Sequence, residues 1–132
     1  MNKRQTIFKE ELKVKKEIKI QQENIKKLIK LVNENPDLKI IPMVDTEVCS
    51  SDDFSCWAGN WDKAEIDECY CSDERIYFRS YDEDSLLDGY IDNLSDEPEY
   101  KETSDEDIAK IAEEKVNNLP WEKVITIWIN AI

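Results

Sequence analysis

The stretch WEKVITIWI, residues 121–129, is the most β-prone segment of the chain. Seven of its nine residues are β-branched or aromatic, a composition that favours a β-strand. Apolar side chains occupy both of its alternating sets of positions, as in a strand that is covered on both faces. We therefore predict a central strand here, around which the other elements are arranged.

Three more segments predict strands beside it. LKIIPMV (38–44) is short and contains Pro42, which favours an edge position because proline cannot donate a ladder hydrogen bond. KAEIDECYC (63–71) and RIYFRS (75–80) alternate apolar and polar side chains, and the intervening SDE predicts a hairpin turn. We expect a mostly antiparallel sheet of about four strands.

Helical periodicity is clearest near the amino terminus. Apolar residues recur there at spacings of mostly seven, four and three, which predicts a long amphipathic helix over residues 1–35; they are Ile7, Val14, Ile18, Ile25, Leu28 and Val32. Asn35 and Pro36 mark its end. The apolar stripe could pack on the rest of the chain or on the same helix of a second copy in a dimer, although Gln21 interrupts a pure coiled-coil pattern.

Two shorter helices are predicted further along the chain. Residues 82–93 place Leu87 and Ile91 on one face, and Ser104 followed by Asp107 resembles a capping box that opens a helix through Asn118. The order helix, three strands, two helices, strand predicts an α+β fold.

Charge is distributed unevenly along the 132 residues. Residues 1–40 hold 11 basic and 6 acidic side chains, whereas residues 41–132 hold 7 and 25. We therefore expect a basic helix at 1–35 and an acidic α+β domain at 36–132, forming one folded unit. Nucleic acid is a weak candidate partner for the basic helix only, since the acidic domain suits a basic protein surface. No stretch has the apolar length of a signal peptide or membrane span, so we expect a cytoplasmic protein without a membrane partner.

Four cysteines lie within 23 residues, at Cys49, Cys56, Cys69 and Cys71. Four thiolates form a closed tetrahedral shell for structural zinc, and clustered cysteines in a reducing compartment bind metal more often than they form disulfides. We predict that these four residues bind Zn²⁺ in a loop spanning 49–71. Reduced buried thiols and a disulfide or redox pair are the alternatives, because the spacing lacks the CxxC pairs of common zinc sites.

An acidic run is the second unusual feature. Residues 81–107 contain 12 acids and one lysine, and Asp84, Asp88 and Asp92 recur at intervals of four. On a helix this spacing aligns three carboxylates along one face, where they could pair with a lysine- and arginine-lined groove. We predict a partner-binding surface in this run, formed by Asp82, Glu83, Asp84, Asp88, Asp92, Asp96 and Glu97. A solvated acidic face that only promotes solubility is the alternative.

Enzymatic activity is not expected. The chain has no histidine, only two glycines, and none of the glycine-rich phosphate loops or nucleophile motifs of common enzyme classes.

Several segments together resemble a known group of small acidic proteins carried by phages and mobile elements of Gram-positive bacteria. They are NPDLKIIPMVD (35–45), SDERIYFRS (72–80), DEDSLLDGYIDN (82–93) and LPWEKVITIWI (119–129). The sequence also looks like the type II-A anti-CRISPR proteins, which inhibit an RNA-guided effector nuclease. This resemblance implies a cytoplasmic inhibitor that binds the nuclease in the host bacterial cell and blocks loading or cleavage of target DNA, acting as a DNA mimic or from an adjoining surface. The alternative is a zinc-stabilised accessory protein of a phage or plasmid that binds an unrelated basic protein.

Overall fold

The computed structural model describes residues 3–132 and has the α+β architecture expected from the sequence. The elements follow in the predicted order: α1 (Lys3–Glu34), β1 (Ile40–Val44), β2 (Asn60–Cys71), β3 (Ile76–Phe78), α2 (Arg79–Asp96), α3 (Asp105–Asn117) and β4 (Glu122–Asn130). Short 3-10 turns occur at Thr46–Val48 and Pro98–Tyr100. The long first helix, the four strands and the two further helices are thus confirmed.

The four strands form one sheet in the order β1-β4-β2-β3, with β4 in the interior and β1 at an edge. Strand β1 runs parallel to β4, with Ile40 opposite Ile125, whereas β2 and β3 are antiparallel. The sheet is therefore mixed, and the prediction of a mostly antiparallel sheet was wrong. A hairpin turn forces antiparallel pairing only on strands that are consecutive in sequence, and β1 and β4 are not.

The chain divides into two compact units. The first unit contains the described residues up to Ile66 together with Val124–Ile132. Its core joins α1 to the sheet through Leu31, Ala64, Ile125 and Ile127, with Leu28, Val32 and Leu38 packed against them. Residues 124–127 are all buried, which confirms β4 as a strand covered on both faces.

The second unit is Asp67–Lys123. Its helices α2 and α3 pack through Leu94, Ile108 and Ala112. As predicted, Ser104 caps α3, its hydroxyl accepting a hydrogen bond from Asp107 N at 3.2 Å. After α3, the indole Nε1 of Trp121 donates to the carbonyl oxygen of Val116 at 2.8 Å and covers the end of the helix.

Burial along β2 does not follow a single alternation. Ala64, Asp67 and Cys69 are buried, whereas Ile66 is 36% exposed. The buried set thus changes from even to odd positions between Ala64 and Asp67, where the two units divide the strand. Twist accumulating over a twelve-residue strand allows such a change, which a strict two-residue period does not predict.

Helix α1 has two different halves. Residues 3–20 are all exposed, whereas Leu28, Leu31 and Val32 near the carboxyl end contact the core. Among the described residues, no helix combines the length and apolarity required to cross a membrane.

The two glycines provide a matched test of packing. A Cβ at Gly59 would overlap Cγ2 of Ile129 and approach the carbonyl oxygen of Asn130, while a Cβ at Gly89 meets no atom within 4 Å. We expect Gly59→Ala to lower the free energy of unfolding by about 1–3 kcal/mol because the branched Ile129 side chain cannot easily move aside. Gly89→Ala, within α2, should raise it by about 0.5–1 kcal/mol. Chemical denaturation of both variants checks this, and a neutral Gly59→Ala would contradict the close approach.

Candidate protein-binding surface

The amino terminus of α2 is held by two carboxylates. The Oδ2 atom of Asp82 accepts from Phe78 N at 2.7 Å, and its Oδ1 accepts from Nη2 of Arg75 at 2.9 Å. From β2, the buried Asp67 accepts hydrogen bonds from the backbone N–H and the hydroxyl of Ser80. Helix amino termini expose unpaired N–H groups and a positive dipole end, so the two carboxylates stabilise this start.

Arg79 connects α2 to its neighbours within the second unit. Its Nε donates to Glu83 at 3.1 Å, its Nη1 lies 3.5 Å from Glu68 of β2, and its Nη2 donates to Asn117 of α3 at 2.5 Å. The guanidinium also lies over the Trp121 ring, 5.3 Å from the ring centre. One partly exposed arginine therefore links β2, both helices and Trp121, the residue before β4, and fixes the orientation of α2 within the unit.

The predicted row of carboxylates is present on α2. Asp84, Asp88 and Asp92 all lie within the helix, and their spacing of four residues places them on one face. All three side chains are exposed. We call these three residues the acidic ridge. In the part of the chain that the structure describes, none of the three carboxylates has a hydrogen-bond or ion-pair partner. Successive members are about 6 Å apart along the helix axis.

The second unit carries the net charge of the chain. Residues 67–123 include 19 acidic and 6 basic side chains, a net charge of −13, whereas the remainder has 12 of each. Both arginines of this unit form ion pairs with its own carboxylates. The acidic ridge therefore belongs to a strongly negative unit that has few unpaired lysine or arginine side chains to neutralise it.

The other residues of the predicted binding surface have different environments. Asp82 and Glu83 form the internal contacts described above, with Arg75 and Arg79. Asp96 ends α2 and Glu97 follows as its carboxyl-terminal cap, and both side chains are exposed. Thus α2 and its carboxyl-terminal cap contain all the predicted residues, but Asp82 and Glu83 stabilise the fold.

A cleft of about 380 Å³ lies between β3 and the other side of α2. Its lining includes Arg75, Tyr77, Leu86 and Tyr90. Arg75 lies over the Tyr77 ring at 4.4 Å and also pairs with Asp82, so its charge is already engaged. The cleft is part of the packing between β3 and α2.

The predicted zinc ligands are not arranged as a metal site. Cys49, Cys56 and Cys71 are exposed, Cys69 is buried, and none forms a disulfide. Among residues 3–132, no group of three or more histidine, cysteine, aspartate or glutamate side chains could hold a metal ion. Cys69 instead lies at a buried position of β2, where it pairs with Phe78 of β3. The zinc loop of the predicted fold thus has no support in the geometry, and zinc binding stays a prediction.

Sequence reasoning missed the roles of Asp67 and Arg79. Arg79 was assigned to a strand, which hid the start of α2, whereas Asp67 was correctly assigned to a strand but its contact with that helix start was not foreseen. The separation of Arg79 from Glu83 by four residues was the available signal, because oppositely charged residues at that spacing contact each other on a helix.

Comparisons of the chain with protein-family models, curated proteins and solved structures find no match.

Removal of the Asp67 carboxylate tests the capping of α2. We expect Asp67→Ala to lower the free energy of unfolding by about 2 kcal/mol, because the N–H and hydroxyl of Ser80 at the start of α2 lose the buried carboxylate that accepts their hydrogen bonds. Asp88→Ala removes an equivalent charge from an exposed position of α2 and should raise the free energy of unfolding slightly, because it relieves like-charge repulsion and alanine favours the helix. Urea denaturation of both variants measures the difference, and equal stabilities would contradict the capping role.

Thiol reactivity distinguishes the observed cysteine environments from a zinc site. The exposure of Cys49, Cys56 and Cys71 leads us to expect three rapidly reacting thiols in the native protein and a fourth only after unfolding. A zinc site would instead protect all four until a chelator is added, with about one zinc per chain in protein purified without added metal. Thiol titration with and without chelator, combined with metal analysis, decides between them.

Proposed function

We propose that this chain is a binding protein whose acidic ridge docks on a basic protein surface. The observation that carries the proposal is the exposed row of Asp84, Asp88 and Asp92 on a helix of the unit that bears the net charge of −13. Partner-free carboxylates at fixed spacing can pair with lysine and arginine side chains without breaking any contact inside the unit.

The helix that carries the ridge is rigidly positioned. Asp67 and Asp82 hold its start, and Arg79 connects it to α3 through Asn117. A preorganised binding element loses less conformational entropy on association than a flexible acidic tail would. The spacing of the carboxylates is therefore maintained in the free protein.

The ridge also has an energetic cost in the free protein. Asp84 with Asp88, and Asp88 with Asp92, are like-charge pairs at the four-residue spacing, each destabilising a helix by a few tenths of a kcal/mol. Cations from a partner relieve this repulsion, so part of the cost is recovered on binding. A surface that served only solubility could distribute its charges without this alignment.

An RNA-guided effector nuclease of type II is the partner class that we propose. Such a nuclease holds its guide–target heteroduplex in a positively charged channel, which an acidic ridge could enter or obstruct. The resemblance of residues 35–45, 72–80, 82–93 and 119–129 to small phage and mobile-element proteins favours the same role. The chain would then act as a stoichiometric inhibitor, either as a DNA mimic in the channel or from an adjoining surface that blocks DNA loading.

The alternative is an accessory protein of a phage or plasmid that uses the same ridge on an unrelated basic partner. Capture of partners from a host lysate, followed by identification of the retained proteins, separates the two: retention of the effector nuclease favours inhibition, and retention of another basic protein favours the alternative.

Neutralisation of the ridge tests the proposal. The assay measures target cleavage by guide-loaded nuclease as the protein is titrated. The triple variant Asp84→Asn, Asp88→Asn, Asp92→Asn should require a concentration at least about tenfold higher for the same inhibition, because three ionic contacts are lost. Inhibition by the wild type should weaken as salt is raised through the range in which the Debye length falls below about 8 Å. The variant itself should unfold at slightly higher denaturant concentration, since repulsion along α2 is removed.

A matched control changes the same number of charges in the same unit. Glu99→Gln, Glu102→Gln, Glu114→Gln alters three exposed acids outside α2 and should retain inhibition. Equal losses in both triple variants would indicate that only net charge matters, and undiminished inhibition by the Asn variant would reject the ridge as the contact. No inhibition by the wild type, with another protein captured from lysate, would reject the nuclease as partner.

A further inference from the structure

The amino-terminal segment of α1, residues 3–20, is a second surface, and it belongs to the first unit. Every side chain in this segment is exposed, although the segment includes six large apolar residues: Ile7, Phe8, Leu12, Val14, Ile18 and Ile20. The segment is about 27 Å long at 1.5 Å per residue. Such a length of uncovered amphipathic helix indicates an interaction site.

The apolar residues that share one side form a narrow seam. Ile7, Val14 and Ile18 are separated by seven and four residues, and the same line continues into Leu28 and Val32, which pack on the core of this unit. Leu12 lies well away from this line on the helix surface. A narrow seam with a spacing of seven and four residues is typical of helices that pair with another helix, whereas a membrane-surface helix has a broad apolar face.

A groove lies next to the seam. It has a volume of about 430 Å³ and lies among Val14, Ile18 and Gln21 of α1, Trp61 at the start of β2, and Ala131. The indole of Trp61 is exposed there, and Asn24 donates a hydrogen bond to its carbonyl oxygen at 3.3 Å. The charged residues in the lining are Glu17 and Asp62, both acidic.

We propose that a second copy of this chain occupies the groove, the two α1 helices pairing antiparallel through their amino-terminal segments. Residues 3–13 of each copy carry four basic and two acidic side chains, opposite in sign to the groove lining of the other copy. The contact is isologous, because each copy provides one helix start and one groove. This dimer is independent of the nuclease-binding role proposed for the second unit.

The seam is complementary to itself when the helices run in opposite directions. Placing Ile7 of one copy against Ile18 of the other also brings Glu11 beside Val14 and Lys15, and Arg4 within about one helical turn of Glu17. A parallel pair would instead oppose Glu11 with its own copy, and would separate Arg4 from Glu17 by about 20 Å. Charge therefore favours the antiparallel arrangement.

The expected interface is of modest size. Two helical segments of this length, with the rim of the groove, would bury on the order of 1,000 Å², the lower limit of specific protein interfaces. We therefore expect a dissociation constant in the range of roughly 1–100 μM rather than an obligate dimer.

Sedimentation equilibrium of the full chain over roughly 1–300 μM tests the dimer at the affinity expected from its area. Ile18→Lys should raise the dissociation constant about 100-fold or more, because a charge replaces an apolar side chain inside the seam. The control Leu12→Lys introduces the same charge at an equally exposed apolar position of the same segment, outside the seam, and should leave the dissociation constant within a few-fold of wild type. Circular dichroism checks that both variants keep their helical content.

A charge exchange tests the direction of the helices. Arg4→Glu and Glu17→Arg should each weaken the dimer, and the double variant should restore it, because the two residues meet only between antiparallel copies. A monomer at every concentration, or equal effects of Ile18→Lys and Leu12→Lys, would overturn the dimer. Failure of the double variant to restore association would overturn the antiparallel arrangement, and binding of the monomer to anionic lipid vesicles would assign the seam to a membrane surface instead.

Discussion

Burial of β4 on both faces is the constraint on which the rest of the first unit depends. Residues 124–127 are almost fully inaccessible, so their backbone groups require strand partners on both edges and their side chains require cover. Strand β1 supplies one edge in parallel pairing, and the hydroxyl of Thr126 donates to the carbonyl oxygen of Glu65 of β2 on the other. Leu31 covers Ile125 and Ile127, so only the last turns of α1 are needed for the core. Residues 3–20 of α1 are exposed because they extend beyond the part of the helix that covers β4.

Features that depend on neighbours in sequence were predictable, and features that depend on distant partners were not. The alternating segment around Tyr77, the cap at Ser104 and the apolar composition of β4 are local signals, and each led to the correct element. The parallel pairing of β1 with β4 joins residues about 85 positions apart, for which no local pattern exists. The start of α2 was placed too late because Asp67, thirteen residues before Ser80, helps to determine it.

The same distinction between local and distant signals applies to the residues of the candidate site. The acidic ridge could be predicted because a spacing of four residues is enough to align Asp84, Asp88 and Asp92 once a helix exists. Composition could not distinguish these residues from Asp82, whose partner Arg75 approaches only after the hairpin and α2 have formed, whereas the four-residue spacing of Arg79 and Glu83 could have identified that pair. The cysteine spacing was equally insufficient, since the burial of Cys69 beside exposed Cys71 depends on where strand β2 is covered.

Acidic residues therefore have two separate roles in the second unit. Asp67, Asp82 and Glu83 accept hydrogen bonds that hold α2, so their removal would affect folding before it affected any partner. The ridge contributes nothing to those contacts and weakens α2 by repulsion, so its charges can be altered without loss of the fold. The seam on α1 is carried by the other unit and is mainly apolar. Because salt screens the ridge more than it weakens apolar burial, binding through the ridge should lose more affinity with ionic strength than self-association through the seam, which has only a few charged contacts beside it.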